Sequence, residues 1–142
     1  MWTREDDLGG GHYRSLFVHR LRGGIRDGHI AAWAHTAVGQ SILKDSPFAA
    51  MIKDGIDPTS VEGANELPYE VADFRCDLHT TDVAIPVLWW RSVGHSHTGF
   101  AVECFVDELL AALGQDPIAG RLAMMSNASR AAGVLRRVAE LA

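Results

Sequence analysis

From His97 to Leu113 the chain is apolar almost all the way round a helix, with only Glu103, Asp107 and Glu108 as charged interruptions. A helix of that kind is expected to be buried on most of its faces. The rest of the chain, or something outside it, has to supply the cover. Gly114 reads as the residue that ends this helix, because glycine accepts the left-handed conformation found there. Asp116-Pro117 starts a second helix, with Asp as N-cap and Pro in the first helical position. A third runs from Ser129, its expected N-cap, to Leu141. Glu103 and Asp107 lie one turn apart. Carboxylates on an apolar helix need partners, so an ion pair with Arg91 or Arg121 is the expectation, and a metal or general-base role is the sharper alternative.

The first part of the chain reads as strands. Tyr13 to Ile25 is rich in β-formers. Asp27-Gly28 is a two-residue hairpin signal, and His29 to Val38 follows as a strand that is apolar on both faces. Between 39 and 70 turn formers recur, and helical turns are expected only near Phe48–Ile52 and Val61–Ala64. So long an excursion in a compact domain is unusual. Asp73 to Thr81 alternates, with Phe74, Cys76 and Leu78 on one side and Arg75, Asp77 and His79 on the other, as a half-buried strand does. Ile85 to Trp90 is apolar but contains Pro86, which suits an extended or edge segment. The expected fold is α+β: an N-terminal β-hairpin and mixed strands, then a helical C-terminal third. Residues 1–142 read as a single segment, with strands and loops over 1–90 and helices over 91–142.

A net charge of -5 gives no bulk attraction for nucleic acid or anionic lipid. No apolar run approaches the roughly 20 residues needed to span a bilayer. Met1 to Asp7 lacks the apolar stretch of a signal peptide, Glu5, Asp6 and Asp7 read as a solvated charge run, and the compartment is left open. Gly9-Gly10-Gly11 has no helix behind it and is no phosphate cradle. Cys76 and Cys104 read as buried free thiols. Among the seven histidines, a zinc set of His12, His19, His95 and His97 has no recognised ligand spacing. Ser41 and Ser96 lack a nucleophile-elbow context. Trp33, Trp89 and Trp90 are core or interface aromatics first, with Trp90 also a candidate for shaping a pocket.

The informative stretch is Trp89-Trp90-Arg91-Ser92-Val93-Gly94-His95-Ser96-His97-Thr98. It joins an apolar strand to the apolar helix. Such a junction presents backbone N–H groups and the positive end of the helix dipole, and Arg91 adds a planar fork of donors. An anion site for a phosphate or oxo-anion is one reading. An arginine paired with a carboxylate beside an ordinary helix start is the other.

Arg91-Ser92-Val93-Gly94, the helix string Ala101-Val102-Glu103-Cys104-Phe105-Val106-Asp107-Glu108-Leu109, and Gly114-Gln115-Asp116-Pro117-Ile118-Ala119-Gly120-Arg121 together resemble the xanthine dehydrogenase/aldehyde oxidase family. Trp2 to Asp7 and Leu67 to Arg75 resemble its strand ends. Val38-Gly39-Gln40-Ser41-Ile42-Leu43 and Val87 to His95 are similar to large subunits of the isoquinoline 1-oxidoreductase type. The resemblance implies a molybdopterin-binding segment of a molybdenum hydroxylase, acting on aldehydes or N-heteroaromatic rings with water as the oxygen source. It implies molybdopterin with molybdenum, in the cytosine dinucleotide form, and iron–sulfur clusters on a partner subunit. Arg91 and Ser92 are then the first cofactor contacts, with Trp90, Gly94 and His95 beside them. The family's glycine-rich segment with its catalytic glutamate has no counterpart here, nor does its glutamine-bearing cofactor loop. Ser60 stands where xanthine-type enzymes place a substrate-orienting arginine, which argues against a purine. The expected partners are the remaining segments of the large subunit and an iron–sulfur subunit, with self-association through the apolar helix. The alternative is a catalytically silent fragment or association module of the same family.

Overall fold

The computed structural model describes residues 13–127 and 129–142. The readings of Trp2 to Asp7, of Gly9-Gly10-Gly11 and of His12 lie outside them. Strand β1 (Phe17–Arg26) and strand β2 (His29–Gly39) form an antiparallel hairpin. Asp27 and Gly28 turn it with φ of 52° and 76°, the two positive angles of a type I′ turn, whose twist suits a hairpin. Strand β3 (Asp73–Thr80) adds to β2 in parallel, pairing Trp33 with Phe74 and His35 with Cys76. The sheet order is β1-β2-β3.

That parallel pairing explains the long excursion read over 39–70. Two parallel neighbours cannot be joined by a tight turn and need a crossover of a dozen or more residues. The crossover contains a 3-10 turn at Ala49–Met51 and the short helix α1 (Pro58–Val61), capped by Asp57, whose Oδ1 accepts from Thr59 N at 2.8 Å. Ser41 Oγ, buried, donates to Asp57 Oδ2 and accepts from the amides of Leu43 and Lys44. It is a turn-closing residue. Ser60 is buried within α1.

Helix α2 (His95–Ala112) lies across the hairpin. Val102, Val106, Leu109 and Leu110 pack on Ile30, Trp33 and Tyr69. Trp33 meets the edge of Phe105 with ring centroids 4.9 Å apart. Gly114, with φ of 66°, ends the helix: its N–H reaches Ala111 O, and Gln115 N–H reaches Leu110 O, a Schellman closure. Helices α3 (Pro117–Ala123) and α4 (Arg130–Leu141) start at Asp116 and Ser129, and both side chains accept from first-turn amides.

The expectation that α2 is buried on most faces does not hold. One stripe is covered, while Phe100 is 79% exposed. A three-stranded sheet offers a single helix only one face to pack on. On the opposite sheet face Ala32, Ala34 and Thr36 are partly open and Val38 is exposed. Glu103 and Asp107 of α2 are paired by Arg121 rather than Arg91. Its guanidinium reaches Glu103 at 3.1 Å and Asp107 at 2.5 Å, and Tyr69 Oη donates to Glu103 at 2.8 Å. Burial, then the bond to Glu103, pushes the Tyr69 phenol up to about 12, so it stays a donor at neutral pH. The two cysteines are free and only partly buried.

Gly28→Val tests the turn. A Cβ there meets nothing within 4 Å, so the loss isolates the backbone. A β-branched residue held at positive φ should cost about 1–2 kcal/mol, read as a lower urea midpoint.

Candidate functional site at the start of helix α2

The chain enters α2 through a strained bend. Val93 has φ of 45°, rare for a β-branched residue, and its N–H closes a turn on Trp90 O. Gly94 is buried where α1 runs under the start of α2. A Cβ at Gly94 would lie 2.5 Å from Thr59 O and 2.7 Å from Glu62 Cβ. Only glycine lets the two segments come this close. The Gly94 N–H donates to Glu62 Oε2 at 2.9 Å, and Thr98 Oγ1, fully buried, donates to Glu62 O at 2.8 Å. A carboxylate thus already sits at the positive end of α2, where the helix dipole favours it.

Trp90 is 56% exposed, and Arg91, Ser92 and His95 are exposed beside it. Arg91 has no hydrogen bond or ion pair among the described residues, and the N–H groups of Arg91, Ser92 and His95 are likewise without acceptors there. Ser92 and Ser96 share a hydroxyl bond of 2.7 Å, and His95 Nδ1 lies 3.6 Å from Glu62. Of the residues read as cofactor contacts, four are thus accessible in one bend, and Gly94 forms its packed floor.

Two hollows adjoin the bend. A cleft of about 520 Å³ opens between the turn after β2, from Gln40 to Pro47, and the segment after β3, from Thr81 to Trp89. It sits at the carboxyl ends of two parallel strands, where ligands of α/β sheets commonly bind. Lys44 and Asp82 pair at its wall at 2.6 Å. A second hollow of about 20 Å³ lies under Trp90, Val93, Ser96 and His97, facing Arg14, Ser15 and Gln40. Arg91 lines neither.

Behind the smaller hollow runs a feature that sequence spacing did not show. His35 Nε2 and His19 Nδ1 are 2.8 Å apart, and His19 Nε2 and His97 Nδ1 are 3.1 Å apart. Three imidazoles from β2, β1 and α2 form one hydrogen-bonded chain. Phe17 stacks on His97 at 3.7 Å between centroids, in room left by Gly39, whose Cβ would overlap the Phe17 ring. The links join different nitrogens of His19, so the chain is no chelate. Among the described residues, no three His, Cys, Asp or Glu side chains are placed to hold a metal ion together. The one signal in the sequence was period two: His19 and His35 both fall on the inward side of their strands.

No model of a protein family matches the sequence. The chain is 31% identical over 144 residues to the isoquinoline 1-oxidoreductase subunit beta of Brevundimonas diminuta, an alignment taking in 99% of this chain and 18% of that subunit. The likeness is to one segment of that subunit. The chain's fold is that of a segment of the aldehyde oxidoreductase from Desulfovibrio gigas, with a TM-score of 0.71 at 17% identity, covering 92% of this chain and 15% of that one. The segment spans under a fifth of either relative. Arg14, Ser15, His19, His35 and Gln40 come to the bend only through tertiary structure, whereas His97 follows it directly in the sequence.

Two outcomes follow from this geometry. Gly94→Ala should lower stability by about 1–3 kcal/mol through overpacking, measured by denaturant unfolding. The histidine chain sets a pH dependence. Burial first, then neighbouring charge, holds His35 and His97 down to about 4, and burial lowers His19 as well. In the unfolded chain such imidazoles protonate near 6.5. The unfolded state therefore binds more protons as pH falls, and stability, complete above 6.5, erodes from there down to about 4. Urea midpoints measured across that window should decline on acidification, and His35→Leu should flatten the decline.

Proposed function

We propose that this chain is a molybdenum-cofactor-binding segment of a molybdenum hydroxylase large subunit. The observation that carries the reading is the Trp90–His95 bend. It combines an unpaired guanidinium, three free amides and an exposed indole beside a cleft at the carboxyl ends of parallel strands. That donor set fits an anionic pterin pyrophosphate and molybdenum-bound oxygens. Arg91 and the amide of Ser92 would hold the anionic part, and Trp90 and His95 would flank it. Gly94 would keep the bend open by letting α1 pack beneath it. Molybdopterin with molybdenum, in the cytosine dinucleotide form, would supply the redox chemistry, while the protein's share is placement and electrostatics. The substrate class is aldehydes or N-heteroaromatic rings, hydroxylated with oxygen from water. Electrons would leave through iron–sulfur clusters on a partner subunit. The named relatives, an isoquinoline 1-oxidoreductase subunit and an aldehyde oxidoreductase, support that class. Nucleic acid is not among the partners, given the acidic charge balance.

A second reading is an association module without catalysis. It is favoured by apolar surface left open. Val134, Val138 and Leu141 recur at helical spacing on α4, each more than half exposed, and Phe100 stands out from α2.

Co-expression with the remaining large-subunit segments and the iron–sulfur subunit separates the two. Under the first reading the purified complex retains molybdenum by mass spectrometry, and Arg91→Ala lowers the retained metal about tenfold or more, the scale of a lost charge-assisted contact. A complex that assembles without molybdenum would leave the association module standing.

A further inference from the structure

We infer that the small hollow between the start of β1, the Gln40 turn and the first turn of α2 is an anion site, taking a small inorganic anion or one oxygen of a larger oxyanion. Its volume of about 20 Å³ suits one atom of that size. Ser15 is only 7% exposed and lines the hollow, yet its Oγ has no partner among the described residues. A buried hydroxyl in that state is costly, so its position points to a group that it meets there. Arg14 stands at the wall with Nη1 donating to Ser96 O at 2.9 Å, and it has no carboxylate partner among the described residues. No Asp or Glu lines the hollow. Glu62, at the start of α2, is bound to the Gly94 amide instead.

The histidine chain adds a donor of fixed direction. His35 Nδ1 is buried and unpartnered. A buried N–H without an acceptor is rarer than an unused acceptor, so neutral His35 keeps its proton on Nε2 and donates to His19 Nδ1. A neutral imidazole has one N–H. His19 therefore carries its proton on Nε2 and donates to His97 Nδ1, and His97 in turn carries its proton on Nε2. That N–H has no acceptor among the described residues, and His97 lines the hollow. Arg14, the Ser15 hydroxyl side chain and the His97 imidazole thus all line a space the size of a single atom.

The inference does not rest on the cofactor reading. Anion binding to the chain alone tests the hollow, while molybdenum retention in the complex tests the bend. The experiment uses the whole chain labelled with ¹⁵N-histidine, at neutral pH in dilute Bis-Tris neutralised with the acid of the titrant, so that no third anion is present, and the two salts are compared at equal ionic strength. Imidazole proton–nitrogen correlations are followed while sodium phosphate is added, and in a second arm sodium chloride. His97 should report the Nε2–H tautomer, and its Nε2 signal should shift saturably. Saturation by phosphate alone assigns the oxygen of an oxyanion; saturation by both salts assigns a small anion. Ser15→Ala, which removes one oxygen, should weaken binding about tenfold, as should Arg14→Gln. Unchanged His19 and His35 signals in each variant serve as the check of folding. Linear shifts with both salts, or equal affinity in Ser15→Ala, would overturn the assignment.

Discussion

The seating of α2 on the hairpin is the interaction on which the other features depend. Leu109 lies directly over Gly23 of β1, so close that a Cβ at Gly23 would stand 2.6 Å from Leu109 Cδ2. Trp33, paired with Gly23 across the hairpin, fills the adjoining space against Val106 and Phe105. Because α2 is one continuous helix, the contact near its C-terminal end also places His97 and Thr98 near its start. A bulkier residue at position 23 would lift the helix and part His97 from His19. Core packing and the bend are two ends of one rigid element.

Charge is arranged around that helix with little left unpaired in its covered half. Arg121 bridges Glu103 and Asp107 while Tyr69 shares Glu103, which ties α3 and the segment before β3 to α2. At the other end Glu62 caps the Gly94 amide, and Thr98 closes on the Glu62 carbonyl. With those carboxylates engaged elsewhere, Arg14, Arg91 and His97 have no carboxylate partner among the described residues. An anion is the natural complement to such an arrangement. The positive φ at Val93 is consistent with a bend held by its surroundings rather than by its own preference.

Much of the fold was legible along the chain, because it rests on local chemistry. Asp27-Gly28, Gly114, Asp116-Pro117 and Ser129 mark turns and caps whose geometry depends on a few neighbouring residues, and each stands where expected. The alternation in Asp73–Thr80 placed β3 but not its direction, since parallel and antiparallel strands share the same period. Burial of α2 was overestimated for a related reason. Periodicity reports which residues are apolar, not how much surface the sheet has to offer. The bend at Trp90–Gly94 was visible as a string, but the partner of its amide, Glu62, is 32 residues away along the chain.

By itself the sequence determined the element order, the hairpin turn, the helix caps and the likeness to a family segment, all of which are carried by residues adjacent or nearly so. Tertiary structure alone decided that His19, His35 and His97 join into one chain, that Ser15 and Arg14 face them, and that Arg121 rather than Arg91 neutralises Glu103 and Asp107. The reason is distance. Hydrogen bonds and ion pairs act over a few ångströms, and only sheet register and the crossing of α2 bring residues so far apart in sequence within that range.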